Sequence, residues 1–238
     1  MMIAELLAAA EGFWPWLEEY FRRYGQDMLV KSRQHITLAV AAMVIACSVS
    51  IPLGVLLSRI RSRWVSTLII GIISLVQPIP SLAFVAITAV IFYYAALPTI
   101  GWPPALVALV AYALLPILRN TFTGLQQVDP TTKEVARGMG MTRGQVLLRV
   151  ELPLALPFII TGVRISTVWT IGVATLVSLV GAGGLGDLIF QGLATNRMEM
   201  ILAGALPAAA MALLLDGGLT VLEYILTPRG LRVRSQTG

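Results

Sequence analysis

The stretch EVARGMGMTRGQVLLRVELP, Glu134 to Pro153, decides how this chain is read. It is charged and punctuated by glycine, in a sequence whose other long segments are apolar. Just upstream, Asp129-Pro130 reads as a helix start. The aspartate side chain can accept an orphan amide hydrogen, and proline loses nothing in the first turn. Thr131 with Glu134 offers a competing capping-box register. This helix is expected to run to about Arg137 and stop at Gly138-Met139-Gly140, where glycine permits a left-handed turn. Thr142 with Gln145 repeats the T-x-x-Q capping pattern, so a second helix begins there. Leu152-Pro153 is expected to end it, with Pro157 following before the next apolar run.

Outside this island the chain has the composition of a membrane protein. Hydrophobic residues make up 57% of the 238 and charged residues 12%, against about 25% charged in an ordinary globular chain. Runs such as ITLAVAAMVIACSVSIPLGVLL (Ile36–Leu57) exceed the roughly 18 residues that suffice to cross a bilayer. The fold class is all-α polytopic membrane protein. The net charge of +5 would suggest nucleic acid in a soluble chain. Here the basic residues lie mostly in short segments between apolar spans, as cytoplasmic loops do, so no nucleic-acid partner is expected. One cysteine, Cys47, and one histidine, His35, rule out an intramolecular disulfide and leave no cysteine or histidine metal cluster.

Clear spans fall at about 36–57, 104–122, 158–180 and 200–224. Residues 65–98 are ambiguous: split at Pro78–Pro80 they give two short halves, and taken whole they give one bent crossing. A hairpin tip at QPIP would reach the membrane surface with no charge to anchor it, which favours five transmembrane helices over six. Either count places residues 119–153 and the C-terminal PRGLRVRSQTG in the cytoplasm. Residues 1–35, with acids at Glu5 and Glu11 where a signal peptide would be basic, read as an amphipathic segment at the lipid surface, with a partly ordered tail as the alternative. The transmembrane domain is then 36–226, with the polar loop at about 126–153 and a basic cytoplasmic tail at 227–238.

The spacing within the loop resembles the EAA loop of integral-membrane permeases of binding-protein-dependent ABC importers, whose pattern is E-A-A, three residues, G, nine residues, I-x-L-P. Glu134-Val135-Ala136 is followed by Arg137-Gly138-Met139 and Gly140, and nine residues later by Val150-Glu151-Leu152-Pro153. Val135 and Val150 depart conservatively from the pattern. QPIPSLA (77–83), YALLPILRNTFTGL (112–125) and LVGAGGLGD (179–187) resemble the osmoprotectant subgroup, importers of glycine betaine, choline, carnitine or proline-like compounds. The resemblance implies a MetI-like ABC permease fold with a cytoplasmic coupling helix. Glu134, Ala136, Gly138, Gly140, Thr142, Leu152 and Pro153 would then form the surface that couples to a separate ATPase.

By the same resemblance the partners are two cytoplasmic ATP-binding subunits, a second permease copy or sister permease, an extracytoplasmic substrate-binding protein, and lipid. The location is the bacterial inner membrane. No cofactor is expected in this chain; ATP and magnesium belong to the ATPase. No Walker motif occurs, and GAGGLGD lacks the Lys-Ser/Thr of a phosphate loop, so it reads as a flexible external turn. No enzyme activity is expected.

For the solute path, interrupted helices free backbone groups for polar solutes. Gln77, Pro78, Pro80 and Ser81 are therefore candidates, as is Thr170 in the threonine-rich 166–178, where close helix packing is the stronger reading. Asp216 is expected to hydrogen-bond between helices and Arg164 to snorkel towards the cytoplasmic interface. The alternatives are an ABC permease for another small solute such as methionine, or an ion-coupled secondary transporter using Asp216, Glu223 and Arg164.

Overall fold

A computed structural model describes residues 2–60 and 62–226, and within that range not the side chains of residues 2–14, 16 and 63. The basic tail 227–238 lies outside the described residues, as do the side chains of Glu5 and Glu11. All regular structure among the described residues is helical.

Among the described residues, four helices are long and apolar enough to cross a membrane: α1 (Met2–Arg59), α4 (Trp102–Gln127), α7 (Leu152–Leu176) and α9 (Met198–Leu226). At 1.5 Å per residue, α4 and α7 reach almost 40 Å, enough for a hydrocarbon core of about 30 Å. Between α1 and α4 lie two short apolar helices, α2 (Arg63–Ser74) and α3 (Ser81–Tyr94).

Alanine sets the close approach of α1, α4 and α7. Ala46 and Ala113 are fully buried with Ile117 midway along the bundle. Leu38, Ala105 and Val173 pack towards one end, and Leu125, Ala155 and Ile159 towards the other. Small residues suit a membrane interior, where association depends on close packing and polar contacts rather than on expelling water. Pro116 interrupts α4 and withholds its N–H from the preceding turn. Hydroxyls from both neighbouring helices reach into that turn: Ser50 donates to the Leu114 carbonyl at 3.1 Å and Ser166 to the Ala113 carbonyl at 2.8 Å.

The ambiguous segment is a single broken crossing. Ser66, near the start of α2, donates to the carbonyl of Leu57 close to the end of α1, and α2 shares a cavity wall with Phe122 and Gln126 at the end of α4. Ile79, at the break, accepts from the Tyr112 hydroxyl well inside α4. Gly101, beyond α3, donates to Val180 at the opposite end, 2.6 Å away. The chain thus passes from one end of the bundle to the other between residues 63 and 101. Trp64 is exposed at one end, and Tyr93, Tyr94 and Trp102 at the other, the kind of rings that collect at membrane interfaces. With the four long helices, the segment makes five passes along the bundle among the described residues.

One expectation needs correcting. Residues 17–35 do not lie apart along the lipid surface; they continue the helix of the first span. Tyr20 and Tyr24 are buried against Leu185, Leu188, Ala203 and Ala208, from α8 (Leu185–Thr195) and α9. That packing, reinforced by a Lys31–Asp187 ion pair at 2.5 Å, holds the segment upright against its neighbours.

Candidate functional site

The loop between α4 and α7 is ordered. Asp129 caps α5 (Pro130–Gly138), accepting from the Thr131 amide at 3.0 Å, so the Asp129 register prevails over that of Thr131 and Glu134. Lys133 turns back to donate to the Leu125 carbonyl at 3.2 Å, tying α5 to the last turns of α4. Ala136 is the residue α5 buries, while Val135, Met139 and Glu134 face outward. Gly140 has φ +86°, the left-handed conformation a side chain resists, yet a Cβ there would meet nothing within 4 Å. The demand at 140 is on the backbone; open space surrounds Gly138 as well. Thr142 and Gln145 close a reciprocal capping box at 2.8 and 3.4 Å, starting α6 (Arg143–Val146).

The second helix does not stop at Leu152-Pro153. It widens into a π turn at Leu147–Glu151 and runs on into α7, with Pro153 in the first turn of that helix. The Leu152 amide reaches back five residues to the Leu147 carbonyl. A π turn spaces donors and acceptors differently from an α turn, so a proline without an N–H passes without ending the rod.

Sequence reasoning missed Glu151, the variable position before Leu152-Pro153. Its side chain is 1% exposed and takes a two-pronged contact from the guanidinium of Arg59, one arm at 3.1 Å. The pair joins the end of α1 to the π turn. A glutamate between Val150 and Leu152 in an otherwise apolar run was the available signal. Beside it lies an open cavity of about 510 Å³, lined by Ser58, Arg59, Arg137, Arg143, Val146 and Glu151 among others.

The solute-path candidates separate. Gln77, Pro78 and Pro80 lie exposed at the break and Ser81 is half-buried. Because Pro78 and Pro80 lack N–H groups, the carbonyls of Ser74 and Val76 lose their helical partners; they accept instead from Gln77 at 3.2 Å and Ile79 at 3.3 Å. Thr170 is buried elsewhere, between α7 and α1, with its hydroxyl 3.5 Å from Met43 Sδ. It belongs to helix packing and does not join the open face at residue 77.

Two further expectations are corrected. Arg164 does not snorkel: it donates from Nε to Asp216 at 2.5 Å, with Glu223 3.9 Å away, tying α7 to α9. The glycine segment 181–187 is also no loose turn. The Gly184 amide donates to the Gln34 side chain at 3.2 Å, and a Cβ on Gly186 would overlap the Thr175 carbonyl. His35 is buried beside it, its Nε2 3.1 Å from the Ile171 carbonyl. Among the described residues, no cluster of three His, Cys, Asp or Glu could hold a metal ion.

Residues 50–231 match the family described as "Binding-protein-dependent transport system inner membrane component". The chain is 43% identical to the carnitine transport permease protein OpuCB of Listeria monocytogenes, over 92% of this chain and 97% of that protein. It is 42% identical to the choline transport system permease protein OpuBB of Bacillus subtilis, over 90% and 95%. It is 40% identical to the osmoprotectant import permease protein OsmW of Salmonella typhimurium, over 84% and 91%. Among solved structures, inward-facing MetNI methionine ABC transporter superposes with a TM-score of 0.73 at 22% identity, covering 84% of this chain and 97% of that one.

Proposed function

The chain belongs to the binding-protein-dependent transport system inner membrane components, and from that premise we propose that it is the permease subunit of an ATP-driven importer of osmoprotectants. The single observation that carries the substrate class is the identity of 40 to 43% with permeases named for carnitine, choline and osmoprotectants, across most of both chains. Glycine betaine, choline and carnitine are the compounds to test. They share a quaternary ammonium, which an aromatic cage in a separate binding protein can enclose.

In this reading the loop from Glu134 to Pro153 faces the cytoplasm and seats an ATPase subunit. Val135 and Met139 are apolar and exposed on a polar loop, which suits contact with a protein. Ala136 keeps α5 close to the bundle, Gly140 and Thr142 set the turn, and the continuous rod through Leu152 and Pro153 carries displacement into α7. The basic tail 227–238 lies on the same side.

Five crossings do not enclose a path, so two permease subunits, identical or sister chains, face one another with two ATPase copies beneath and a binding protein outside. Non-helical backbone at membrane depth is tolerated where it is covered by protein or lines a watery cavity. Gln77, Pro78 and Pro80 are exposed in the isolated subunit, so that face turns to the partner permease and the path. ATP and magnesium act on the ATPase; this chain supplies the path and the transmission.

The test is uptake of labelled glycine betaine, choline and carnitine by cells carrying the complete system, with and without this chain. Uptake of at least one that depends on this chain upholds the reading. Dependence for methionine alone would keep the permease role and replace the substrate class.

A further inference from the structure

The cavity beside the coupling loop is lined by three arginines and one carboxylate. Arg59 is engaged by Glu151, which is buried and already takes two contacts from that guanidinium. Arg137 and Arg143 line the same cavity with no carboxylate partner among the described residues. The wall is mixed: Val146 is buried beneath it, Gly144 leaves it open, and Ser58 adds a hydroxyl. Val135 on α5 and Met139 just beyond it are exposed on the same loop. Exposed apolar side chains and unpaired arginines on one loop have the make-up of a protein contact, where arginine is enriched and a bidentate carboxylate is its best-fitting ligand.

We infer that this cavity receives acidic side chains of the ATPase subunit, held by Arg137 and Arg143 as a second contact beside the coupling helix. The inference rests on the proposed docking of the loop and adds the chemistry of the partner surface. Glu151 takes part without touching the partner: by holding Arg59 it fixes the back wall, so the free guanidiniums face outward. Charge complementarity of this kind speeds association and selects partners, and it weakens as salt screens it.

The experiment is co-purification and binding of the system's own ATPase to the full-length permease in nanodiscs, from low to high ionic strength. The nanodiscs are made with and without anionic lipid. The variants are Arg137→Glu/Arg143→Glu and the milder Arg137→Gln/Arg143→Gln, each checked for a monodisperse, correctly sized permease. The expected result is ATPase affinity at least about tenfold weaker in both at low salt, with a flatter salt dependence than wild type. It is the same with or without anionic lipid. At least one Asp→Arg or Glu→Arg change on the ATPase is expected to restore binding to the charge-reversed permease. Wild-type binding with unaltered affinity and salt slope in both variants would overturn the acidic-contact inference alone. So would an effect confined to anionic-lipid nanodiscs, which assigns the arginines to lipid headgroups. No ATPase binding by wild-type permease would overturn the docking reading itself.

Discussion

Gly140 and Gly138 are two residues apart and make opposite predictions. At φ +86°, residue 140 forces any side chain into left-handed backbone, at roughly 1–2 kcal/mol for an L-residue. Gly140→Asp is expected to abolish most uptake while the permease reaches the membrane at normal levels, because the distortion stays within the loop. Unchanged uptake would count against a coupling role. Gly138→Ala, at the end of α5 with space around it, is expected to keep near-normal uptake. Glu151 belongs to a third class. Glu151→Ala removes a buried acceptor but leaves Arg59 solvent-exposed, so it should cost only about 1 kcal/mol, read as a lower unfolding temperature of the detergent-solubilised subunit. Arg59→Glu/Glu151→Arg should recover part of that loss. Gly140 was legible in the sequence because its spacing belongs to a motif. The role of Glu151 was not: the lone carboxylate stood out in the run, but its partner Arg59 lies ninety-odd residues away and nothing local names it.

At the level of elements, two interruptions of regular helix have different consequences. The break at residues 75–80 is held by three-residue turns and by Tyr112, and its prolines enforce it. Pro78→Ala/Pro80→Ala lets a straight helix form. The subunit should still insert, but uptake should fall roughly tenfold, on the scale of ~1.4 kcal/mol in a rate-limiting barrier. Normal uptake in that variant would remove the break from the path. The junction of α7 and α8 has no such tolerance. Gly186→Ala places a methyl against the Thr175 carbonyl, and overpacking of this sort costs about 1–3 kcal/mol. Reduced accumulation and a lower unfolding temperature are the expected readouts. The capped helices of the loop could be read residue by residue, since caps are local chemistry. The fate of Pro153 could not: whether proline ends a helix or sits at the start of its continuation depends on the π turn before it, which propensity does not register.

For the whole molecule, the course of the chain turned on residues 63–101, where hydropathy gives two halves too short to classify. Contacts with Leu57 at one end, Tyr112 in the middle and Val180 at the other carry it once along the bundle. The tie between α7 and α9 through Arg164, Asp216 and Glu223 was half legible. The sequence exposes charges inside apolar helices, but only the fold shows them meeting. The assembly prediction follows from the exposed face at the break. In a Cys47→Ser background, Gln77→Cys should cross-link two permease subunits or react with a small water-soluble thiol reagent. Inertness to both would place this face against lipid.

The π turn at Leu147–Glu151 sets the aim of the coupling loop. A helical residue advances the chain by about 100° around the axis and 1.5 Å along it. Deleting one residue from 147–150 would let the rod close as plain α-helix, with α7 left in place. Everything before the deletion would swing by about 100° around that axis, carrying Ala136 off the bundle and the arginine-lined cavity away from its partner. The compass bearing of the docking surface is thus written in the count of residues in one turn, and natural length variation should be far rarer there than in the 95–100 connection, where a change of length re-aims nothing.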